Sequence, residues 1–271
     1  MRQTNQCDRC SLIITTYNRP DTLGLVLKSA LCQSRLPDEI IVADDGSGEE
    51  TETVVEKFKK MSSVPVFHSW QEDRGFRAAA SRNRAIALSR YDYIILVDGD
   101  IFLHKEFIRD HVGLGKKRQF IQGSRVLLTP ESSRERIRQG AISVDFFDKG
   151  LKNRISSIHS VILAKIFSRQ KNFLEGIKTC NMSFFREDCI EVNGFNENFT
   201  GWGREDSEFA ARLMNNQVQR LTVKCLAIGY HLWHMEISRA SLSKNDAILH
   251  NTVVNRIKWC DNGIDKYLSG D

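Results

Sequence analysis

The chain has 271 residues, 41% apolar and 27% charged, with 39 basic against 34 acidic residues for a net charge of +5. That balance supplies a full globular core and excludes wholesale disorder, and only 4 prolines exclude a Pro-rich linker protein. The mild basicity suits a phosphate-bearing ligand or an anionic membrane and gives no reason to expect nucleic acid as a partner.

Strand-like apolar runs alternate with helical patterns through the first 130 residues. Ser11–Thr16 reads as a buried strand, and Asp21 is placed to cap a helix over Thr22–Gln33 with Leu23, Val26, Leu27 and Ala30 on one face. Glu39–Ala43 is a second strand, Asp44–Gly48 a loop and Glu49–Lys60 an exposed helix. Val64–Trp70 is a third strand, Ala78–Ser89 a helix and Tyr93–Val97 a fully buried fourth strand. This alternation predicts an α/β fold with a mostly parallel sheet flanked by helices, whose ligands sit at the carboxyl ends of the strands. After Pro130 the pattern changes. Leu151–Ile177 is basic and amphipathic, with Leu151, Ile155, Ile158, Ile162 and Ile166 at spacings of three and four. It predicts a helix or a flap that covers an acceptor site or touches an anionic membrane, against the plainer reading of a core-facing helix. Further on come a strand-like CNMSFF, the loop GFNENFTGWG, a helix from Glu205, a strand over Leu221–Ile228 and, after Ser238, a helical tail.

No apolar run approaches the roughly 20 residues that cross a bilayer. The first ten residues, MRQTNQCDRC, lack the apolar stretch of a secretory signal, so the expected location is the cytoplasm or, peripherally, the inner face of the cell membrane. The 7 cysteines are scattered, and Cys7 and Cys10 make one C-x-x-C with no second pair at zinc spacing, so free thiols are expected.

The glycine signatures of dinucleotide-binding and P-loop folds are absent, as are G-x-S-x-G and H-E-x-x-H. A nucleotide would have to be held by side chains and a cation. Asp98-Gly99-Asp100 follows the most apolar strand, and two carboxylates there make a hard oxygen site for magnesium or manganese, although a solvated turn has the same sequence. Asp44-Asp45 is a second acidic pair at a strand end, readable as an Asx-type turn or as an acceptor for a base or ribose. Arg77 and Arg82 stand near a helix start, where they would meet a diphosphate, while Arg74 and Arg84 read as exposed. Gly201-Trp202-Gly203 precedes Glu205, Asp206 and Glu208 in the first turn of a helix. The carboxylates suit the helix dipole in any case, but an indole between glycines is a platform for stacking a sugar, and Asp206 has the position of a general base. His231, ahead of His234, is the choice for completing a cation site.

Taken together, TTYNRPDTL, IIVADDGS, GFRAAASRNRAIA and YIILVDGD resemble the family-2 glycosyltransferases of the GT-A fold. The stretch CNMSFFREDCIEVNGFNENFTGWGREDSEFAARL resembles the galactosyltransferase-type module of chondroitin polymerases and related enzymes. The resemblance implies a nucleotide-sugar half over 1–130 and an acceptor half over 131–271, in one continuous catalytic domain. By position it implies that Thr16, Tyr17, Arg19, Asp45, Arg77, Arg82, Asp98 and Gly99 bind the nucleotide-sugar. Trp202 and Gly203 would contact sugar and acceptor, Asp100 and His231 would hold manganese or magnesium, and Asp206 beside Glu205 would be the inverting base. The implied activity is transfer of a hexose or N-acetylhexosamine from a UDP-sugar to a glycan or lipid-linked glycan, in bacterial surface polysaccharide or lipopolysaccharide synthesis. Arg204 stands where that module often carries glycine, and Ser207-Glu208 replaces its further aspartates, which bears on acceptor identity. Two other readings are a sugar nucleotidyltransferase, whose glycine-rich loop and lysine TTYNRPD lacks, and a catalytically dead carbohydrate-binding scaffold, against which Asp100 and Asp206 both stand.

Overall fold

The computed structural model describes residues 7–235 and 241–268. In chain order it has β1 (Cys10–Thr16), α1 (Pro20–Leu31), β2 (Glu39–Asp44), α2 (Glu49–Met61), β3 (Val66–Trp70), α3 (Ala78–Leu88) and β4 (Tyr93–Asp98). Then come β5 (Ile101–Leu103), α4 (Phe107–Leu114), β6 (Gln119–Gln122), β7 (Ser124–Leu128), α5 (Pro130–Gln139), β8 (Leu151–Lys152), a 3-10 turn (Arg154–Ser157), α6 (Val161–Phe167) and β9 (Arg169–Gln170). The chain continues through β10 (Asn181–Phe185), α7 (Arg186–Ile190), α8 (Glu205–Asn215), β11 (Gln219–Thr222), β12 (Ile228–His231), α9 (Leu242–Val254) and α10 (Asp265–Leu268).

An eight-stranded sheet runs β3-β2-β1-β4-β10-β6-β11-β9, and a four-stranded sheet runs β5-β12-β7-β8. The strands β3, β2, β1 and β4 are parallel, as the sequence predicts. Beyond β4 the sheet is mixed, because β10 enters antiparallel to both β4 and β6. It draws strands from both sides of residue 130. The central strands are apolar on both faces, the signature of a sheet covered by helices. Alternate side chains divide between two layers. Leu12, Ile14, Ile40, Val42, Ile95 and Val97 pack into one, with residues of α1 and α4. Ile13, Ile41, Ile94 and Leu96 pack into the other, with residues of α3 and α8.

A buried polar chain ties the two sheets together. The Asn181 amide nitrogen donates to the carbonyls of Ser124 and Ala227, each at 2.8 Å, so its Oδ1 must accept, at 2.9 Å, from His111 Nε2. In a neutral ring His111 Nδ1 is then the acceptor, and Ser183 Oγ donates to it at 2.7 Å. Gly123 leaves the room this amide needs, since a Cβ there would lie 2.3 Å from Asn181 Oδ1, while a Cβ at Gly229 would lie 2.5 Å from Ile101 Cγ2.

Three expectations change. Asp21 does not cap α1: Arg19 is the cap residue, without a side-chain bond, and Pro20 opens the helix. Leu151–Ile177 is not one helix. Asn153 sits at φ 47° and Ile158 and Ser160 are extended, so the segment breaks into β8, the 3-10 turn, α6 and β9. The strand read over Leu221–Ile228 is interrupted, because Cys225 at φ 61° and Ala227 at φ 49° turn the chain between β11 and β12. The start of the helical tail, near Ser238, lies outside the described residues; α9 and α10 follow it.

Candidate active site

Sheet register brings the acidic motifs to one edge. Thr15 is paired with Asp98 and Thr16 with Asp44, so the ends of β1, β2 and β4 are level. Gly99 donates its N–H to Thr15 O at 2.7 Å, and a Cβ there would stand 3.1 Å from that oxygen and from Thr16 Oγ1. A side chain in the D-G-D turn would therefore crowd the end of β1. In the second sheet β12 runs antiparallel to β5 with His231 opposite Ile101, and Leu232 N donates to Asp100 O at 2.9 Å. That pairing sets His231 beside Asp100.

The two members of the Asp44-Asp45 pair part company. Asp44 is fully buried, accepts from Ser47 N at 2.8 Å and meets His68 Nε2 at 2.9 Å, so it builds the turn. Asp45 accepts from Gln71 Nε2 at 2.6 Å and from Arg77 N at 2.7 Å. Tyr17 is exposed, and its hydroxyl donates to Asp73 at 2.9 Å, which raises the phenol pKa. Thr16 is buried beneath it. Arg77 turns its guanidinium back to the Glu72 carbonyl at 2.6 Å. Gln71 and Asp73, which bind this wall together, carry no motif in the sequence.

Arg82, buried on α3, stands 3.5 Å from each of Asp98, Glu205 and Asp206. It joins the end of β4 to the start of α8. Glu205 accepts from Gly203 N at 3.2 Å, and burial, reinforced by Asp206, pushes its carboxyl up to about 7. Asp206 accepts from Thr179 N at 2.9 Å and Thr179 Oγ1 at 2.7 Å. Its side chain keeps 23% of its surface, against 9% for Glu205. Glu208 turns the other way, into a buried two-point pair with Arg212 at 2.8 Å.

The loop before α8 is latched by α9. Asn245 donates to Gly203 O at 2.9 Å, and a Cβ on Gly201, at φ 71°, would stand 2.3 Å from Ser241 Oγ. Gly203 lies at φ 109°, and Arg204 adopts φ 76°, a left-handed conformation that favours glycine. Trp202 and Gly203 line a cavity of about 990 Å³ together with Asp98, Arg125, Asp206 and His231. A cavity of about 490 Å³ against α5 holds none of the residues singled out above.

Asp100, His231 and His234 each offer an atom within 4.8 Å of the others. His231 Nε2 is 3.7 Å from Asp100 Oδ1, and His234 Nε2 is 3.4 Å from Oδ2. Arg19 reaches Oδ2 at 3.3 Å, whereas Oδ1 is buried with no hydrogen-bond partner among the described residues. The Met235 carbonyl, an acceptor, stands 2.8 Å from His234 Nδ1, so that nitrogen is the donor. A neutral ring then aims its Nε2 lone pair at the Asp100 carboxylate, an arrangement suited to a cation between them. Asp100, His231, Asp98, Arg82, Glu205, Asp206, Trp202 and Gly203 thus come together, with His234 added. Tyr17, Asp45 and Arg77 form a separate wall at the neighbouring strand ends.

The family described as "Glycosyl transferase family 2" matches residues 11–191, and the chain belongs to it. The description "N-terminal domain of galactosyltransferase" matches residues 163–235. The chain is 27% identical over 244 residues to chondroitin synthase of Escherichia coli, covering 83% of this chain and 34% of that protein. It is 28% identical over 233 residues to hyaluronan synthase of Pasteurella multocida, covering 75% of this chain and 22% of that protein. The chain thus spans about a third or less of the length of these two relatives. In fold it is similar to S. aureus TarS 1-349 in complex with UDP, with a TM-score of 0.62 at 17% identity, covering 96% of this chain and 70% of that one.

Proposed function

We propose that this family-2 glycosyltransferase moves a hexose or N-acetylhexosamine from a UDP-sugar to a hydroxyl of a glycan, with inversion, in bacterial surface-polysaccharide synthesis. The observation that carries the reading is one cavity lined by Asp206 at the start of α8 and by His231 and His234, the two histidines that cluster with Asp100. The similarity to two polysaccharide synthases supports the acceptor class. A 32% match over 90 residues to "UDP-Glc:alpha-D-GlcNAc-diphosphoundecaprenol beta-1,3-glucosyltransferase WfaP" of Escherichia coli supports a UDP donor and a lipid-linked acceptor. All seven cysteines are free thiols, which suits action in the cytoplasm. Among the described residues no helix is long and apolar enough to cross a membrane.

In this reading the nucleotide lies along the ends of β1, β2 and β4, with Tyr17, Asp45 and Arg77 on the base and ribose side and Arg19 and Asp98 near the diphosphate. Asp100, His231 and His234 would hold a divalent cation. When bound, the cation supplies positive charge beside the departing diphosphate. Two imidazoles in the set suit a transition-metal cation better than magnesium. Thr179 and Arg82 fix the Asp206 carboxylate so that its exposed edge accepts the proton of the acceptor hydroxyl. Trp202 gives the sugar ring a stacking face. One displacement then inverts the anomeric centre without a second catalytic carboxylate.

Treatment with EDTA followed by readdition of manganese tests the cation. Activity is expected to vanish and return, and Asp100→Ala is expected to remove it altogether. Full turnover after EDTA would contradict the cation, and full activity in Asp100→Ala would contradict its site.

A further inference from the structure

Residues 149–178 contain seven basic residues and one acidic one, a net +6. The rest of the chain carries 32 basic against 33 acidic residues, so this segment holds all of the molecule's excess positive charge. The same segment exposes apolar side chains. Ile155 is 76% exposed, Ile162 73% and Ile166 51%, and Val161, Phe167 and Phe173 are exposed as well. Ile162 and Ile166 are four apart on α6, as are Val161 and Lys165, so these pairs share the helix face turned to solvent.

The segment is fastened, which keeps these groups from collapsing inward. Ser160 caps α6 through Leu163 N, and its own N–H bonds to Cys225 O at 2.9 Å. Leu163 and Ala164 pack against Ile121, Val223 and Ala227. His159 pairs with Asp110 at 3.0 Å. Pairing of β9 with β11 and of β8 with β7 holds the two ends. Only Leu163 and Ala164 of α6 face the core. Lys152 and residues 174–178, which flank this stretch in sequence, line the large cavity, whereas no residue of α6 does.

We propose that this face docks on an anionic lipid bilayer, its isoleucines and phenylalanines entering the headgroup layer and its lysines and arginines meeting lipid phosphates. Exposed aliphatic side chains among basic ones on a short helix are the composition of an interfacial anchor. A solvated basic face would carry the charges without the isoleucines, and an apolar protein contact would not concentrate the charge. A role for that bilayer in presenting a lipid-linked acceptor rests on the transferase reading, whereas vesicle binding is read without turnover, so the docking face and the transferase reading fail separately.

Co-sedimentation with phosphatidylcholine vesicles, with and without 30% phosphatidylglycerol, on the order of the anionic content of a charged leaflet, tests the proposal. Binding is expected to the anionic vesicles only and to weaken as salt rises. Ile162→Ser with Ile166→Ser, and separately Lys165→Glu with Arg169→Glu, are expected to weaken it at least about tenfold. All four positions are on the surface, and an unchanged melting temperature shows that the variants fold. Equal binding to both vesicle types would overturn the proposal, as would binding that survives either double variant. Capture by the soluble polyanion heparin at full strength in Ile162→Ser/Ile166→Ser, with vesicle binding also unchanged, would identify plain polyanion binding and overturn it too.

Discussion

Asp206 and Glu205 are adjacent carboxylates with different surroundings. Glu205 is sunk beneath the Gly203 amide and pushed up to about 7, whereas Asp206 is held by Thr179 and keeps more of its side chain open to the cavity. In the proposed mechanism this difference in accessibility favours Asp206 over Glu205 as the base. Asp206→Asn keeps the shape and removes the proton acceptor, so turnover is expected to fall at least about a hundredfold with UDP binding nearly unchanged by calorimetry. Near-normal turnover in Asp206→Asn with loss in Glu205→Gln would reverse the assignment. The candidate residues were legible because each sits in a short local motif: D-G-D after an apolar strand, W-G-R-E-D at the start of a helix. Their supports were not. Thr179 lies 27 residues from Asp206 and Gln71 lies 26 from Asp45, and nothing in their local sequence marks them as partners.

At the scale of elements, α8 and α9 are joined by a buried charge. Glu208 pairs with Arg212, both almost fully buried, and Thr252 of α9 donates to Glu208 at 3.1 Å. Removing one member leaves the other charge uncompensated, so Glu208→Ala is expected to cost about 3–5 kcal/mol in chemical denaturation. A loss below about 1 kcal/mol would mean that the pair relaxes into water. The sequence marked Glu208 only as a first-turn carboxylate, since a single heptad does not tell which acid turns inward. The parallel strands were readable to within two residues because their apolar runs are short and bounded by polar and turn residues. Leu151–Ile177 was misread because its isoleucines keep helical spacing while Asn153 and the extended Ile158 and Ser160 break the backbone between them. Periodicity reports the side chains and is silent on such breaks.

For the molecule as a whole, the join between the two sheets is sensitive to acid. His111 is fully buried, and desolvation lowers its pKa from 6.5 to about 4 in the fold. The unfolded chain therefore binds the proton first. Stability from this group is complete above about pH 6.5 and is lost as the pH falls toward 4, by about 3 kcal/mol. Guanidinium unfolding at pH 7 and pH 4.5 is expected to show a smaller acid loss in His111→Gln than in the parent chain; equal losses would contradict the neutral buried imidazole. The fold class and the site edge were readable in the sequence, but this network was not, because His111 meets Asn181 and Ser183 across 70 and 72 residues of chain.

The central claim is that the cavity between α8 and the end of β12 transfers sugar from a UDP donor. Release of UDP from UDP-glucose, UDP-galactose, UDP-N-acetylglucosamine and UDP-N-acetylgalactosamine, with and without manganese, tests it most directly. Manganese-dependent release from at least one donor, absent in Asp100→Ala and strongly reduced in Asp206→Asn, is the predicted result. No release above background from any of the four with manganese present, or release that both variants retain in full, would contradict it.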